Sequence, residues 1–305
     1  MNLIRLPLTT PPLLTLFLVL LLTSSLIIPL ISHAKTSIWQ VSDGKNTVYL
    51  GGTFHMLKPS DYPLPIEFEQ VYNKVNWLVF ETDIMALKNP EFQQYFQHQM
   101  KLPSGQILAD QLSANAYGEL IRYMAKNNLD IGQYQSYRPQ MIGLIINILE
   151  LNKLGLTAQG VDDFFGGKAI SAGKILSQLE SKETQAHYLA SMAKGNESNF
   201  ILQTLEDSKN LAPELAKLSQ AWRSGDIQAL YNTGVATMIE DYPSIYQSLL
   251  VERNRNWLPT IETLIQQPEE KLILVGALHL AGPEGLLEQL KKKGYRVQHY
   301  LAQDP

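Results

Sequence analysis

The feature that most constrains the fold is a unit that occurs twice, in which an apolar strand leads to Gly-x-x-His, a helix and a second strand. The first copy, residues 48–81, contains Gly52 and His55, and the second, residues 272–300, contains Gly276 and His279. Glycine tolerates the bend where a chain leaves a sheet, so each histidine is expected at the carboxyl end of a strand. Ligands bind at that edge of open α/β sheets. The repeat therefore predicts a mixed α/β fold whose two histidines face one cleft.

Between the two copies the pattern is mostly helical, and no low-complexity linker interrupts it. Ser113 is expected to cap one helix, Asp162 or Asp163 to cap another, and Pro139 to begin a third. The apolar positions predicted to be buried in the first and third of these helices are Leu120, Ile121, Met124, Met141, Ile142, Leu144, Ile145, Ile148 and Leu149. We therefore expect one domain, residues 35–305, in which a central sheet is flanked by helices and carries a helical middle insertion.

Residues 1–34 have the layout of a signal peptide. Arg5 is their one charged side chain, and Ser32 and Ala34 place small residues at the −3 and −1 positions of a cleavage site. The apolar stretch 11–31 is also long enough to remain as a membrane anchor. Either outcome places the rest of the chain outside the cytoplasm, in the periplasm, secreted, or attached to the outer face of the inner membrane.

Composition excludes several classes of protein. The formal net charge is −4 and the basic residues are not clustered, so the chain lacks the concentrated positive surface that nucleic-acid phosphates require. It contains no cysteine, which excludes thiol catalysis, disulfide bonds and cysteine-ligated zinc.

Four side chains follow predicted strands and would converge on one cleft if those strands were parallel neighbours: His55, Glu81, Glu180 and His279. Each also has a structural interpretation. Either histidine could be a polar loop residue, Glu81 a surface or capping carboxylate, and Glu180 a partner of a helix N-terminal dipole. The matched contexts of the two histidines favour a functional site. The remaining histidines of the body are interpreted as surface residues: His98, His187 and His299.

Further motifs, read in order, resemble those of a known family. They are Gly52-Thr53-Phe54-His55, residues 78–83 (LVFETD), Gly160-Val161-Asp162, residues 179–181 (LES), residues 252–257 (ERNRNW) and residues 276–280 (GALHL). On these motifs the sequence resembles the TraB/GumN family over residues 37–302. That family includes the TIKI proteases and is related in fold to ChaN-like and erythromycin-esterase-like proteins.

The resemblance implies a hydrolase that acts on peptides or small esters. Because TIKI relatives are described as metal-dependent proteases, it implies a divalent ion, Mn²⁺, Co²⁺ or Zn²⁺, held by His55, Glu81 and His279. In that scheme Glu81 or Glu180 would take a proton from the attacking water, and Arg253 would stabilise the oxyanion. Glu81, Glu180 and Arg253 are therefore the predicted catalytic residues.

Several alternatives remain open. Erythromycin-esterase-like relatives use a comparable set of His, Glu and Arg side chains without an evident metal. On that model, one of the two histidines of this chain, paired with Glu81, would activate water. Arg253 could instead be a structural bridge between a helix and the sheet through a buried carboxylate. The cleft could also bind an extracytoplasmic peptide without cutting it, as a regulator of signalling or polysaccharide-related processes, or the chain could be a degenerate, purely structural member.

Overall fold

One mixed sheet lies at the centre of the structure, a computed structural model that describes residues 35–302. The predicted signal segment, residues 1–34, lies outside the described residues. In chain order the strands are β1 Ile38–Ser42, β2 Thr47–Thr53, β3 Trp77–Phe80, β4 Ile175–Gln178, β5 Lys271–Gly276 and β6 Arg296–His299. Across the sheet their order is β4-β3-β5-β2-β1-β6. Strands β4, β3, β5 and β2 are parallel, and β1 runs opposite to both of its neighbours.

Helices cover both faces of the sheet and form the middle of the chain. The longer helices are α1 Ile66–Lys74, α2 Pro90–Gln99, α3 Ala114–Lys126, α4 Pro139–Lys153, α5 Val161–Ser171, α6 Lys182–Ser191 and α7 Glu197–Arg223. The later ones are α8 Ile227–Leu230, α9 Ala236–Asp241, α10 Pro243–Ile245, α11 Arg253–Ile265 and α12 Leu286–Lys292. Two π-helical segments, Tyr231–Val235 and Tyr246–Glu252, interrupt the run before α11. The predicted mixed α/β fold with a helical middle is confirmed.

The side chains of β5 show why the sheet is covered on both sides. Leu272 and Leu274 pack into one apolar cluster with residues of α1, α5 and α7. Ile273 and Val275 pack into a second cluster with residues of α11 and α12. Successive strand residues point to opposite faces, so a strand with four consecutive apolar residues, 272–275, belongs in the interior of a sheet.

Most of the predicted helix signals are found where expected. The Ser113 hydroxyl accepts from the Ala116 amide and caps α3, and Pro139 is the first residue of α4. The prediction that Asp162 or Asp163 caps α5 is wrong, because Gly160 occupies the cap position.

Two predicted core positions are also wrong: Ile121 is 39% exposed and Ile148 is 50% exposed. Ile121 lies beside the buried stripe of α3, whereas Ile148 lies on the face of α4 opposite Gly143 and Ile146, so the 3.6-residue period turns both side chains toward solvent. Among the three histidines interpreted as surface residues, His299 is half-buried against Trp39, with 5.0 Å between ring centroids, while the other two are exposed.

Each half of the predicted repeat folds as a strand, a helix and a second strand that runs the same way. The first is β2–α1–β3 and the second is β5–α12–β6. The strands within each half are not neighbours, because the two halves interleave: β5 lies between β2 and β3. Within residues 35–302 no helix is both long and apolar enough to cross a membrane.

Candidate functional site

Four parallel strands end at one edge of the sheet, and each end is followed by a predicted site residue. His55 comes two residues after β2, Glu81 directly after β3, Glu180 two residues after β4 and His279 three residues after β5. The pairing of β3 with β4 continues past both strands, since the Glu180 amide donates to the Glu81 carbonyl at 2.9 Å. The backbone itself therefore places the two carboxylates side by side.

Arg253, the first residue of α11, joins three of these side chains. Its Nη2 donates to Glu81 Oε2 at 2.6 Å and to Glu180 Oε1 at 2.7 Å, and its Nη1 lies 3.1 Å from His279 Nε2. Arg253 is 7% exposed, and Glu81 and His279 are each 5% exposed. We call these four residues, Glu81, Glu180, Arg253 and His279, the Arg253 cluster.

The remaining donors of Arg253 are also occupied. Its Nε donates to Glu180 at 3.1 and 3.3 Å, and the second Nη1 hydrogen has the Leu249 carbonyl as a distant acceptor at 3.5 Å. A guanidinium has five N–H donors in a fixed plane. Arg253 can therefore act on a substrate through its positive charge but has no free donor to offer. This geometry matches the structural bridge considered from the sequence.

The position of the proton on His279 follows from Asn254. The side-chain amide nitrogen of Asn254 donates to the carbonyls of His279 and Glu284, at 3.0 and 2.9 Å, so its oxygen must accept. That oxygen lies 2.7 Å from His279 Nδ1, which therefore carries the proton. His279 Nε2 is then an acceptor and faces Arg253. Burial lowers the pKa of His279 to about 3, so the ring is neutral at physiological pH.

His55 differs from His279 in both exposure and charge. Its side chain is 64% exposed, and its Nδ1 lies 2.8 Å from Asp162 Oδ2. The Asp162 carboxylate raises the pKa of His55 to about 9, although solvent around the ring screens this pair. An imidazole held at Nδ1 by a carboxylate, with Nε2 left open, is the arrangement that proton-transfer histidines use.

Gly276 leaves a small space between the cluster and His55. A methyl group added to Gly276 would lie 3.2 Å from Glu81 Oε1, 3.5 Å from His279 Cδ2 and 3.8 Å from His55 Nε2. The two histidine rings thus meet around one point, as the repeat predicts. The Gly276 amide also donates to Glu81 Oε1 at 2.6 Å, which directs that oxygen to the space.

The two carboxylates of the cluster have different electrostatic environments. Burial acts to raise the pKa of Glu81, but the charges of Arg253, His279 and His55 and the hydrogen bond from Gly276 together outweigh it, and the pKa is held well below its usual range. Burial raises the pKa of Glu180 despite its contacts with Arg253. Both Glu180 oxygens are taken, because Trp257 Nε1 donates to Oε2 at 2.9 Å. Glu180 therefore holds Arg253 in place, and Glu81 is the carboxylate that reaches the open space.

The donors do not fit a divalent metal as they are arranged. His279 Nε2, one of the three predicted ligand atoms, points its lone pair at Arg253 Nη1 rather than at an open position. Within residues 35–302 no group of three His, Asp or Glu side chains is placed to hold an ion. Binding one at His55, Glu81 and His279 would also put it beside the guanidinium charge.

All five residues predicted for the site, His55, Glu81, Glu180, Arg253 and His279, thus lie at one edge of the sheet. Sequence reasoning missed the partners that orient them. The sequence favours Asp162 or Asp163 as a helix cap, although Asp162 also belongs to the Gly160-Val161-Asp162 motif. Asn254 and Trp257 lie within the motif that supplied Arg253, and their spacing on one helix face was the available signal.

The fold and the site define a class: a mixed α/β protein with a buried arginine, carboxylate and histidine cluster at the carboxyl edge of its parallel strands. The chain belongs to the TraB/PrgY/gumN family, whose profile matches residues 37–299. It is similar to Metalloprotease TIKI2 of Danio rerio, with 24% identity over 315 residues, covering 84% of this chain and 59% of that protein. The chain thus spans little more than half the length of this curated relative. No solved structure matches it significantly.

Proposed function

We propose that this protein is a peptidase, able to hydrolyse esters of similar shape, in which His55 transfers the proton of the attacking water. The observation that carries the proposal is the placement of His55. Its Nδ1 is held by Asp162, and its Nε2 faces the space bounded by Glu81 and His279. The name of the Danio rerio relative, a metalloprotease, supports the choice of a peptide bond over other hydrolysable groups.

The mechanism follows from the roles that each contact permits. Only the neutral form of His55, which is the minor form at pH 7 because its pKa is about 9, takes a proton from water at Nε2; the resulting imidazolium returns the proton to the leaving nitrogen. Asp162 fixes the ring and stabilises the imidazolium. Glu81, which stays ionised, accepts from the water through Oε1 and favours the positive charge on His55. Arg253 stabilises developing negative charge at a distance, and Glu180 holds Arg253 in place.

The predicted divalent ion remains a separate proposal. An ion would have to displace Arg253 Nη1 from His279 Nε2, so no step above is routed through a metal. We also propose that the protein acts outside the cytoplasm, because residues 1–34 have the layout of a signal peptide. Whether residues 11–31 attach it to a membrane depends on cleavage after Ala34, which N-terminal sequencing of the exported protein would determine.

A peptide-pool assay tests the proposed function. Purified protein is incubated with a diverse set of synthetic peptides, with EDTA or with Mn²⁺, Co²⁺ or Zn²⁺, and new termini are detected by mass spectrometry. We expect cleavage by the wild type, and a loss of about 100-fold or more in His55→Gln, because general base catalysis contributes about 10²–10⁴-fold. The control is His98→Gln, an exposed histidine in α2.

Each outcome separates the candidate functions. Cleavage in EDTA supports the proton-transfer mechanism, and cleavage that requires an added ion supports the metal-dependent prediction. Equal cleavage by wild type and His55→Gln would contradict the role given to His55. Stoichiometric peptide capture without new termini in any condition would favour the peptide-binding regulator.

A further inference from the structure

An apolar groove begins at the residues on either side of His55. It has a volume of about 690 Å³. Its lining includes Phe54 and Met56, Leu156 just after helix α4, and Leu215 and Ala216 of α7. We call this cavity the Phe54 groove. His55 itself is turned away, toward Asp162 and Glu81, so one short segment of chain separates the groove from the candidate site.

The wall that the groove shares with His55 is held rigidly. The Val161 amide donates to the Phe54 carbonyl at 2.9 Å, and Leu57 and Thr157 exchange two backbone hydrogen bonds, at 2.9 and 3.3 Å. Gly160 packs directly against the His55 backbone. A ligand in the groove is therefore positioned relative to His55 without any rearrangement of that segment, which is what a substrate subsite requires.

The charged residues that line the groove are mostly basic. They are Lys35, Lys58 and Arg223, with Asp61 as the one acidic residue of the lining. Arg223 is bonded to Asp61, through the carbonyl oxygen and the carboxylate. Within the described part of the chain neither Lys35 nor Lys58 has an ion-pair partner. A largely apolar lining that includes two lysines without an ion-pair partner is complementary to an apolar ligand that carries negative charge.

We propose that the Phe54 groove binds an apolar, acidic segment of the peptide substrate, next to the bond that lies at His55. The proposal rests on the proposed peptidase function and adds its substrate class: a peptide with bulky apolar side chains followed by a carboxylate. Continuity of the groove with the Phe54–Leu57 segment places this part of the peptide on one side of the reacting bond. The apolar side chains fill the groove, and the carboxylate lies at Lys58.

Binding is measured separately from cleavage. The probe is a fluorescein-labelled Leu-Phe-Leu-Leu-Glu-Glu peptide, with Leu-Phe-Leu-Leu-Lys-Lys as its charge-swapped partner, and the His55→Gln background prevents turnover. Ala216→Trp should fill the groove and weaken binding of the acidic probe about tenfold or more. Lys58→Glu should weaken the acidic probe and strengthen the basic one, and added salt should reduce both effects.

Matched control variants show whether a change in binding comes from the groove itself or from added bulk or reversed charge elsewhere on the protein. Asn210→Trp adds the same bulk to another exposed position of α7, and Lys45→Glu reverses a charge in the β1–β2 turn, so neither should change binding. Equal affinity in all variants, or preferred binding of the basic probe by the parent protein, would overturn the proposal. Tight binding of laurate without binding of either peptide would also overturn it, in favour of a fatty acyl ligand.

The proposed function can fail independently of this one. If binding depends on the groove but no peptide is cleaved, the groove proposal stands and the peptidase proposal is rejected. If cleavage depends on His55 but is unchanged by Ala216→Trp and Lys58→Glu, the peptidase proposal stands and the groove proposal is rejected.

Discussion

At the scale of single residues, the two histidines of the site differ in charge state. His279 is buried and neutral, with its proton assigned to Nδ1 by Asn254, and Arg253 occupies its other nitrogen. His55 is exposed and paired with an anion, which favours its protonated form. Pairs of titratable groups whose pKa values are pushed apart are typical of sites that separate proton donors from acceptors. The difference has a consequence for stability as well as for chemistry.

Acid should destabilise the protein partly through His279. Its pKa is about 3 in the folded state and near the ordinary 6.5 when unfolded, so below pH 6.5 the unfolded chain binds a proton that the folded chain refuses. The contribution of neutral His279 to the free energy of unfolding is fully present above pH 6.5, the pKa of His279 in the unfolded chain, and decreases as the pH falls toward 3. Between pH 7.5 and 5.0 we expect His279→Gln to remove a pH-dependent loss on the order of 2 kcal/mol, measured by urea denaturation.

His98→Gln is the control for this measurement, because His98 is exposed. The raised pKa of His55 acts in the opposite direction, stabilising the fold on the acid side, but wild type and both variants share it. A slope for His279→Gln equal to that of the wild type would show that His279 is not held neutral by burial.

The site residues that follow the strands could be predicted from the sequence, but the side chains that contact them could not. An apolar run followed by glycine or glutamate is a local signal, so the sequence predicts His55, Glu81, Glu180 and His279 as site residues. The pairing of His55 with Asp162 joins residues 107 positions apart in the chain. It depends on how α5 packs against β2, and no local pattern encodes that packing. The local signal at Asp162 instead favoured a helix cap.

At the scale of secondary-structure elements, the start of α5 determines where His55 lies. Gly160 caps this helix, and a methyl group at that position would penetrate the carbonyl carbon and oxygen of His55. The next amide, that of Val161, bonds to Phe54. Glycine is therefore required here by close backbone approach, and this approach brings Asp162 in the first turn of α5 to His55.

Two glycine-to-alanine substitutions, one at the cap of α5 and one within it, test whether close backbone approach requires glycine at position 160. Gly160→Ala should lower the free energy of unfolding by more than about 2 kcal/mol, because neither backbone can move aside without breaking the Phe54–Val161 bond. Gly167→Ala, in the same helix, meets nothing within 4 Å and should stabilise the protein by up to about 1 kcal/mol. Urea denaturation of both variants is the measurement. Equal stability of the two would contradict the close approach.

At the scale of the whole molecule, the Arg253 cluster joins parts of the chain that the sequence keeps far apart. Glu81 follows β3 and Glu180 follows β4, and helices α2 to α5 lie between these two strands in the chain. Arg253 begins α11, which packs on the face of the sheet away from α1, α5 and α7. The predicted parallel order of four strands is what allows these contacts. The interleaving of the two repeat halves, with β5 between β2 and β3, was not encoded in either half alone. It brings His55 and His279 to adjacent strands.

Removing the charge of Arg253 should therefore unfold the edge of the sheet rather than only abolish activity. Arg253→Met leaves two buried carboxylates without a cation, and we expect a loss of about 3–5 kcal/mol in the free energy of unfolding. Adding Glu81→Gln and Glu180→Gln should recover a large part of that loss, because the uncompensated charge is then removed. Arg255→Met, in the same helix but exposed, should change stability by no more than about 0.5 kcal/mol. If Arg253→Met were as stable as Arg255→Met, the cluster would not hold α11 to the sheet, and the fixed positive charge that the proposed mechanism assigns to Arg253 would have no structural basis.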